Sequence, residues 1–233
     1  ILALLCSFIF QAAIAQTPFN RSFSAVGDDR GLYTYVQGND KYFVTGYTTS
    51  YGLGARAAFV MALDTLGDTL FSKVYSGTGS DYAYCLQPSL TGSSYYVCGT
   101  SSSYATLSTN AIWLAKLDAN GDTIFTKSIE FSGGCSASAM LTNQDGSLTL
   151  VGSMHNPSTG DSDGMIMKVD SFGNPLWTKS YDAGASEGLS DIQITAPSLG
   201  YIVLGSSQPS GSSGRNLFVM KLNNNSTWPN AFT

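Results

Sequence analysis

Short apolar runs that end in glycine recur along the chain at a constant spacing. They are Tyr42–Gly46, Tyr95–Gly99, Leu148–Gly152 and Tyr201–Gly205, and their glycines are 53 residues apart each time. A fixed period of this length is the signature of a repeat architecture, in which each copy is one supersecondary unit. The pattern therefore predicts four copies of one unit.

A second apolar stretch in each copy runs into a turn. These stretches cover residues 59–64, 113–118, 165–170 and 218–223. Three of them continue as Asp-x-x-Gly, with the pairs Asp64 and Gly67, Asp118 and Gly121, and Asp170 and Gly173. A carboxylate in this position can cap backbone N–H groups, and glycine readily adopts positive φ, so the pattern predicts structural hairpin turns.

Alternating aromatic, basic and apolar positions follow each turn. The triplets are Phe71/Lys73/Tyr75, Phe125/Lys127/Ile129 and Trp177/Lys179/Tyr181, and Phe19/Arg21/Phe23 precedes the first copy with the same spacing. A period of two is typical of a β-strand. Each copy also opens with an extended segment, at 32–36, 82–87, 136–141 and 189–194, which gives four strands per unit.

Four antiparallel strands joined by short turns form one blade of a β-propeller. One such sheet cannot bury both of its faces alone, so the copies are expected to stack radially. The predicted fold is all-β, a β-propeller of four-stranded antiparallel blades. The predicted blades cover 31–75, 82–129, 136–181 and 188–222, the last closed by a strand at 19–23. The ring is either small and closed or an incomplete part of a larger propeller.

The repeat also resembles known families. The element Leu-Asp-x-x-Gly-x-x-x-[Phe/Trp], as in Leu63–Phe71, is similar to the tryptophan-docking repeats of quinoprotein-like propellers. The whole unit, over Phe19–Leu222, resembles tandem propeller repeats in secreted Bacteroidota proteins that leave by the type nine secretion system. This resemblance implies an exported propeller. One residue fewer separates Asp from Gly than in the quinoprotein repeat, so no cofactor is predicted.

The N-terminal segment predicts export independently. Residues 1–15 are almost continuously apolar and end in Ala13-Ile14-Ala15, the small-x-small pattern that signal peptidase accepts. The run is shorter than the roughly 20 residues needed to span a bilayer. We therefore expect a signal peptide over 1–15, cleavage near Ala15–Gln16, a mature chain over 16–233 without a membrane span, and a secreted or cell-surface location.

Charge and composition narrow the chemistry. Only 12% of residues are charged, the net charge is -5, and the 11 Lys and Arg are dispersed, so a nucleic-acid partner is not expected. A single histidine, His155, excludes a multi-histidine metal site, and no metal is predicted. Cys85 and Cys98 flank a turn and either form a disulfide or are small buried hydrophobes, while Cys135 is left over.

One face of a propeller collects the loops between second and third strands and the loops between blades, and loops are where binding residues concentrate. We call this the loop face. The ligand-binding candidates on it are Tyr51, Arg56, Tyr104, His155, Asp161 and Arg215. The same face also contains Asp163 and Glu187.

Two short motifs on this face have simpler explanations. Gly184–Gly188 matches the Gly-x-Ser-x-Gly elbow of hydrolases, but the repeat predicts a strand after it where the elbow requires a helix. Asp161-Ser-Asp163-Gly164 matches the start of a calcium loop but lacks the later ligands. Asp163 aligns with alanines in the first two copies, so it is interpreted as a cap at a strand entry.

No catalytic constellation emerges from these residues. The predicted function is a non-enzymatic, exported binding or display module with a glycan or protein ligand. One alternative is a carbohydrate-active hydrolase or lyase whose catalytic residues lie in blades outside this sequence. A second alternative is a purely structural repeat scaffold.

Overall fold

The computed structural model describes residues 18–23, 25–195, 200–209 and 211–223, and over these residues the chain is all-β. Blade 1 consists of β1 (Asp29–Gln37), β2 (Lys41–Thr48), β3 (Ala57–Leu63) and β4 (Thr69–Tyr75). Blade 2 consists of β5 (Asp81–Pro88), β6 (Tyr95–Ser101), β7 (Ala111–Leu117) and β8 (Thr123–Ile129). Blade 3 consists of β9 (Cys135–Thr142), β10 (Leu148–His155), β11 (Ser162–Val169) and β12 (Pro175–Tyr181). Blade 4 consists of β13 (Ala185–Ile194), β14 (Tyr201–Pro209) and β15 (Asn216–Leu222).

Each blade is an antiparallel meander in which strands pair in chain order. The first three sheets have four strands, and the fourth has three among the described residues. Consecutive blades pack on one another in the order 1, 2, 3, 4. The predicted β-propeller of four repeats is confirmed.

The periodic glycines have a steric cause. A Cβ built on Gly46, Gly99 or Gly152 would lie 1.8 to 2.0 Å from a backbone carbonyl oxygen of the neighbouring inner strand. Inner and second strands are offset at this level in every blade by a shift of register. Real Cβ atoms cannot approach a carbonyl oxygen so closely. Only glycine therefore fits where the second strand approaches the inner strand in these three blades.

The Asp-x-x-Gly segments form capped hairpin turns. In the first, Asp64 Oδ1 accepts hydrogen bonds from the backbone N–H groups of Leu66 and Asp68, at 2.8 and 2.9 Å. Gly67 has φ +81°, in the left-handed region. The turns at Asp118 and Asp170 repeat these contacts. This is the turn chemistry that the sequence pattern predicts.

The hydrophobic core consists of three clusters, one for each junction between consecutive blades. At the junction of blades 1 and 2 the rings of Phe43 and Tyr95 are 4.5 Å apart, and Trp113 is buried beside them. Aromatic pairs at this distance add to the free energy gained by burying apolar area. The blades are therefore held together mainly by apolar packing.

Outer strands also contact the turn of the next blade. Phe71 of β4 packs over Gly121, and Lys73 Nζ lies 2.8 Å from Asp122 Oδ1. At the next junction Phe125 packs against Gly173, and Lys127 donates to Asn174 at 3.2 Å. These contacts explain why an aromatic and a basic residue recur two positions apart.

Residues 18–23 do not form a strand. Phe19 packs over Gly67 and Arg21 lies 3.3 Å from Asp68, so they make on blade 1 the contacts that an outer strand makes on the following blade. The pairing of 19–23 with blade 4 that the sequence predicts is not formed in the described part of the chain. The interval 1–15, predicted to be a signal peptide, lies outside the described residues.

The two ends of the array have faces that are not covered by another blade. In blade 2, every residue of β6 is buried, because the sheet has a neighbour on both sides. In blade 4, alternate residues of β14 are exposed, including Ile202 and Leu204. Leu32 and Val36 of β1 are exposed in the same way. No described residue belongs to a helix long and apolar enough to cross a bilayer.

The two cysteines that the sequence places across a hairpin lie opposite each other on neighbouring strands. Cys85 of β5 is opposite Cys98 of β6 in the register. Both thiols are free and buried, as is that of Cys135. They therefore act as small buried hydrophobes in this structure.

Candidate acidic site on the loop face

A carboxylate and hydroxyl groups join the inner strand to the second strand on the loop face. In blade 2, Asp81 at the start of β5 accepts hydrogen bonds from Ser101 Oγ at 2.5 Å and Ser103 Oγ at 2.7 Å. The backbone N–H of Gly77 donates to the same carboxylate at 2.9 Å. Asp29 makes the corresponding contacts with Thr48 and Ser50 in blade 1. We call this arrangement the acid–hydroxyl lock.

Blade 4 has a longer acid in the lock. Glu187 accepts a hydrogen bond from Ser207 Oγ at 2.9 Å and one from the backbone N–H of Ala183 at 3.3 Å. Blade 3 has no lock, because Cys135 and Met154 occupy the paired positions. Blade 3 instead contributes a carboxylate from its third strand, which lies against blade 4.

Three carboxylates meet at the junction of blades 3 and 4. Asp163 of β11, Asp182 after β12 and Glu187 of β13 each place one oxygen within 4.8 Å of the others. Asp163 and Glu187 are buried, and Asp182 is exposed. No ion pair among the described residues neutralises any of the three. We call these residues the acidic triad.

Burial changes the proton affinity of the two buried carboxyl groups of the triad. Burial is the main cause of the raised pKa of Asp163, and the nearby charges of Asp182 and Asp161 raise it further. Burial likewise raises the pKa of Glu187. In the lock of blade 1, by contrast, the hydrogen bond from Thr48 lowers the pKa of Asp29. The hydrogen bond of the lock therefore lowers the pKa of the carboxyl group in blade 1, whereas in blade 4 burial outweighs the lock and raises it.

A folded loop positions Asp163. Asn156 Nδ2 lies 3.2 and 3.4 Å from the two carboxylate oxygens of Asp163. The backbone carbonyl of Asn156 accepts a hydrogen bond from Gly160 N, and its side-chain oxygen accepts one from Ser158 N. The loop is thus closed on itself, and the orientation of Asp163 is fixed before any ligand binds.

Two of the predicted candidates lie next to this loop. The backbone N–H of His155, at the end of β10, donates to the carbonyl of Gly134 at 2.9 Å. Asp161 accepts a hydrogen bond from Thr159 and receives one from Asn156 N at its backbone carbonyl. His155 and Asp161 are therefore close in sequence to Asp163 of the triad.

A third candidate, Arg56, belongs to a separate cluster between blades 1 and 2. Its guanidinium carbon lies 5.3 Å from the ring centre of Tyr47 and 5.8 Å from that of Tyr82. Tyr82 is stacked on Tyr84, with ring centres 5.6 Å apart. We call these four residues the arginine–tyrosine cluster.

The other three candidates are dispersed. Tyr51 is exposed and lines a cavity of about 690 Å³ on the uncovered face of blade 1, with Phe23, Val44 and Phe59 among its neighbours. Tyr104 belongs to the loop of blade 2, where its carbonyl accepts a hydrogen bond from Ser128. Arg215 donates to Ser206 in blade 4. The structure does not unite the six candidates in one site.

Sequence reasoning placed Asp163 and Glu187 on the loop face but did not select them, and it did not consider Asp182. A signal was present, because Asp163 occupies the repeat position of Ala57 and Ala111, which are buried beside the next blade. An acid in place of a buried alanine departs from the repeat. Such departures at a blade junction indicate a function that packing does not require.

Neither protein-family models nor curated proteins give a match to the sequence. Solved structures do resemble the fold. An exo-1,5-alpha-L-arabinanase from a bovine ruminal metagenomic library has a TM-score of 0.50 and 11% identity, over 81% of this chain and 72% of that one. The endo-arabinase of Bacteroides thetaiotaomicron has a TM-score of 0.50 and 15% identity, over 83% of this chain and 75% of that one.

These similarities correct the functional prediction. The sequence favoured a non-enzymatic binding or display module, whereas both of these structures are named as arabinan-cleaving enzymes. The prediction failed because the repeat pattern determines the fold but not the residues that meet between blades.

Proposed function

We propose that this chain is a carbohydrate-active hydrolase that cleaves glycosidic bonds at the acidic triad. The observation that supports this proposal most directly is the meeting of Asp163, Asp182 and Glu187, two of them buried, without a basic partner among the described residues. Arabinan is the first substrate to test, because arabinanases share the fold. Export of the mature chain remains part of the proposal.

The chemistry requires a proton donor and a second carboxylate. Glycoside hydrolysis uses one carboxylic acid to protonate the leaving oxygen and one carboxylate to act on the sugar or on water. Burial raises the pKa of Asp163 and of Glu187, so this pair retains a proton to a higher pH than a free carboxyl group would. Asp182 is exposed at the rim and is the carboxylate that a sugar meets first.

The spacing of the triad also predicts the stereochemical course. Carboxyl groups are about 5–5.5 Å apart in retaining glycosidases and about 6.5–9.5 Å apart in inverting ones. The oxygens of the triad lie within 4.8 Å of one another, which is closer to the separation of a retaining pair than to that of an inverting pair. We therefore expect retention of configuration at the anomeric carbon.

The test is sugar release from linear and debranched arabinan and from a panel of other plant polysaccharides, followed by anion-exchange chromatography. Asp182→Asn is expected to reduce the rate at least ~100-fold, the usual effect of removing a general acid or base. Glu130→Gln is the matched control, because Glu130 follows β8 as Asp182 follows β12 and is not part of the triad.

Two results would contradict the proposal. One is a folded chain that releases no sugar from any polysaccharide of the panel. The other is an active chain whose rate is equal in the wild type and in Asp182→Asn. Retention is tested separately, by following the anomeric proton of the first product by NMR.

A further inference from the structure

The arginine–tyrosine cluster lies on the loop face at the junction of blades 1 and 2, while the acidic triad lies at the junction of blades 3 and 4. Arg56 immediately precedes β3, and its backbone carbonyl accepts a hydrogen bond from Asp81 N at 3.0 Å. Tyr82 and Tyr84 come from β5, the inner strand of the next blade. The cluster therefore forms only when the two blades pack together.

None of the ion pairs among the described residues includes Arg56, and its Nε is buried without a hydrogen-bond partner there. Arginine stays charged in proteins and presents its N–H groups in a planar fork that matches a carboxylate. A half-buried guanidinium whose Nε donor lacks a partner indicates a binding position for an anion.

Asp28, which accepts a hydrogen bond from Tyr47 of the cluster, is already paired with another cation. Asp28 accepts hydrogen bonds from Arg30 Nε at 3.2 Å and from Tyr47 Oη at 3.0 Å. These contacts hold the ring of Tyr47 beneath Arg56, and the ion pair of Asp28 is formed with Arg30 and not with Arg56. In a chain of net charge -5, this is a local site for an anion and not part of a general basic surface.

The aromatic rings give the site a preference among anions. Tyr82 and Tyr84 are nearly parallel, at 6°, and both are half-buried, so they offer an apolar surface beside the guanidinium. Sugar rings pack on such surfaces through their C–H groups, while a carboxylate on the sugar can accept two N–H bonds from one arginine. An inorganic anion would use only the second of these contacts.

We infer that Arg56, Tyr47, Tyr82 and Tyr84 form a subsite for a carboxylate-bearing sugar, a uronate residue of an acidic glycan. The inference rests on the proposed function, because it names the class of glycan that the loop face binds. Blade 4 provides a comparison. Arg215 occupies the repeat position of Arg56, but it donates to Ser206 where Arg56 lies over Tyr47, and it is exposed.

The test is calorimetric titration of the full chain with trigalacturonate and with its methyl-esterified form. The free acid is expected to bind at least about tenfold more tightly than the ester, and Arg56→Gln to remove that difference, since a charge-assisted bidentate contact contributes at least a factor of ten. Arg215→Gln is the matched control and should bind the acid as the wild type does. Higher salt should weaken binding of the acid only.

Equal binding of acid and ester by the wild type would overturn the inference without any variant, so a folding defect in Arg56→Gln cannot obscure the result. Unchanged acid binding by a folded Arg56→Gln would overturn it as well. Chromatography of the same samples reports cleavage separately. Acid binding with no sugar release from any polysaccharide of the panel would therefore count against the proposed hydrolase alone, and cleavage of neutral arabinan without acid binding against the uronate subsite alone.

Discussion

A carboxylate oxygen of Asp163 lies within 4.8 Å of one of Glu187, across the junction between the third and fourth blades. At the matching position of blade 1 the residue is Ala57, so the third strand brings no carboxylate to the junction of blades 1 and 2 there. Two buried carboxyl groups so close together repel each other when both are charged. Packing alone would not select this pair, and its free-energy cost can be measured.

Asp163→Asn should stabilise the fold at neutral pH while reducing hydrolysis. Burial raises the pKa of Asp163, so its stabilising contribution is complete only below the ordinary pKa of an aspartate and is lost as the pH rises through the raised value. The neutral amide avoids that loss. A gain on the order of 1 kcal/mol would raise Tm by about 2–4 °C in a domain of this size.

Thermal unfolding of both proteins at pH 7 and at pH 3 checks this prediction. The gain should disappear at pH 3, where the carboxyl group is protonated in both the folded and the unfolded chain. Asp40→Asn serves as the control, since Asp40 is exposed in blade 1 and outside the triad. A lower Tm for Asp163→Asn at pH 7 would show that the charged form stabilises the loop.

The acid–hydroxyl lock of blade 2 should contribute to stability and not to chemistry. Asp81→Ala leaves the hydroxyl of Ser101 and the N–H of Gly77 without their acceptor in a buried place. The expected cost is roughly 2–3 kcal/mol from unsatisfied buried donors, or about 5–10 °C in Tm at this size. Differential scanning calorimetry measures it, and sugar release per folded molecule should remain unchanged.

Replacing one of the glycines repeated every 53 residues should destabilise the fold more than replacing another glycine within a strand. A Cβ on Gly99 would lie 1.8 Å from the carbonyl oxygen of Tyr82, whereas one on Gly188 would have no atom within 4 Å. Gly99→Ala is therefore expected to destabilise the chain by more than ~3 kcal/mol, beyond the range of most single substitutions. Gly188→Ala, the matched control, should lie within about 0.5 kcal/mol of the wild type. Urea unfolding distinguishes them, and similar midpoints would refute the steric explanation.

The fold could be predicted from sequence because its determinants are local and repeated. Gly46 and Gly99 lie where the second strand approaches the inner strand, and Asp64 and Gly67 form the hairpin turn. Each of these residues is found again one period later. The triad could not be predicted in this way. Asp163 and Glu187 are brought together by packing between two blades, and each alone resembles an ordinary loop or strand residue. Phe19 illustrates the same limit, since its spacing indicated a strand but not the blade that it would contact.

The three cysteines provide a test of packing between blades 2 and 3. Cys85 and Cys98 are opposite each other in β5 and β6, and both are buried in the cluster that also includes Cys135. Burial raises the pKa of Cys135, while the hydrogen bond between Cys85 and Cys98 raises the pKa of Cys98, so both thiols resist deprotonation.

In the native protein, iodoacetamide at pH 8 should therefore leave the peptides containing these two residues unlabelled. In urea, all three cysteines should be labelled, as peptide mass spectrometry would show. A mass lower by two hydrogens on a linked pair of peptides would instead identify a disulfide between Cys85 and Cys98. Rapid native labelling of Cys98 would show that the junction opens, because this thiol is fully buried between the two blades.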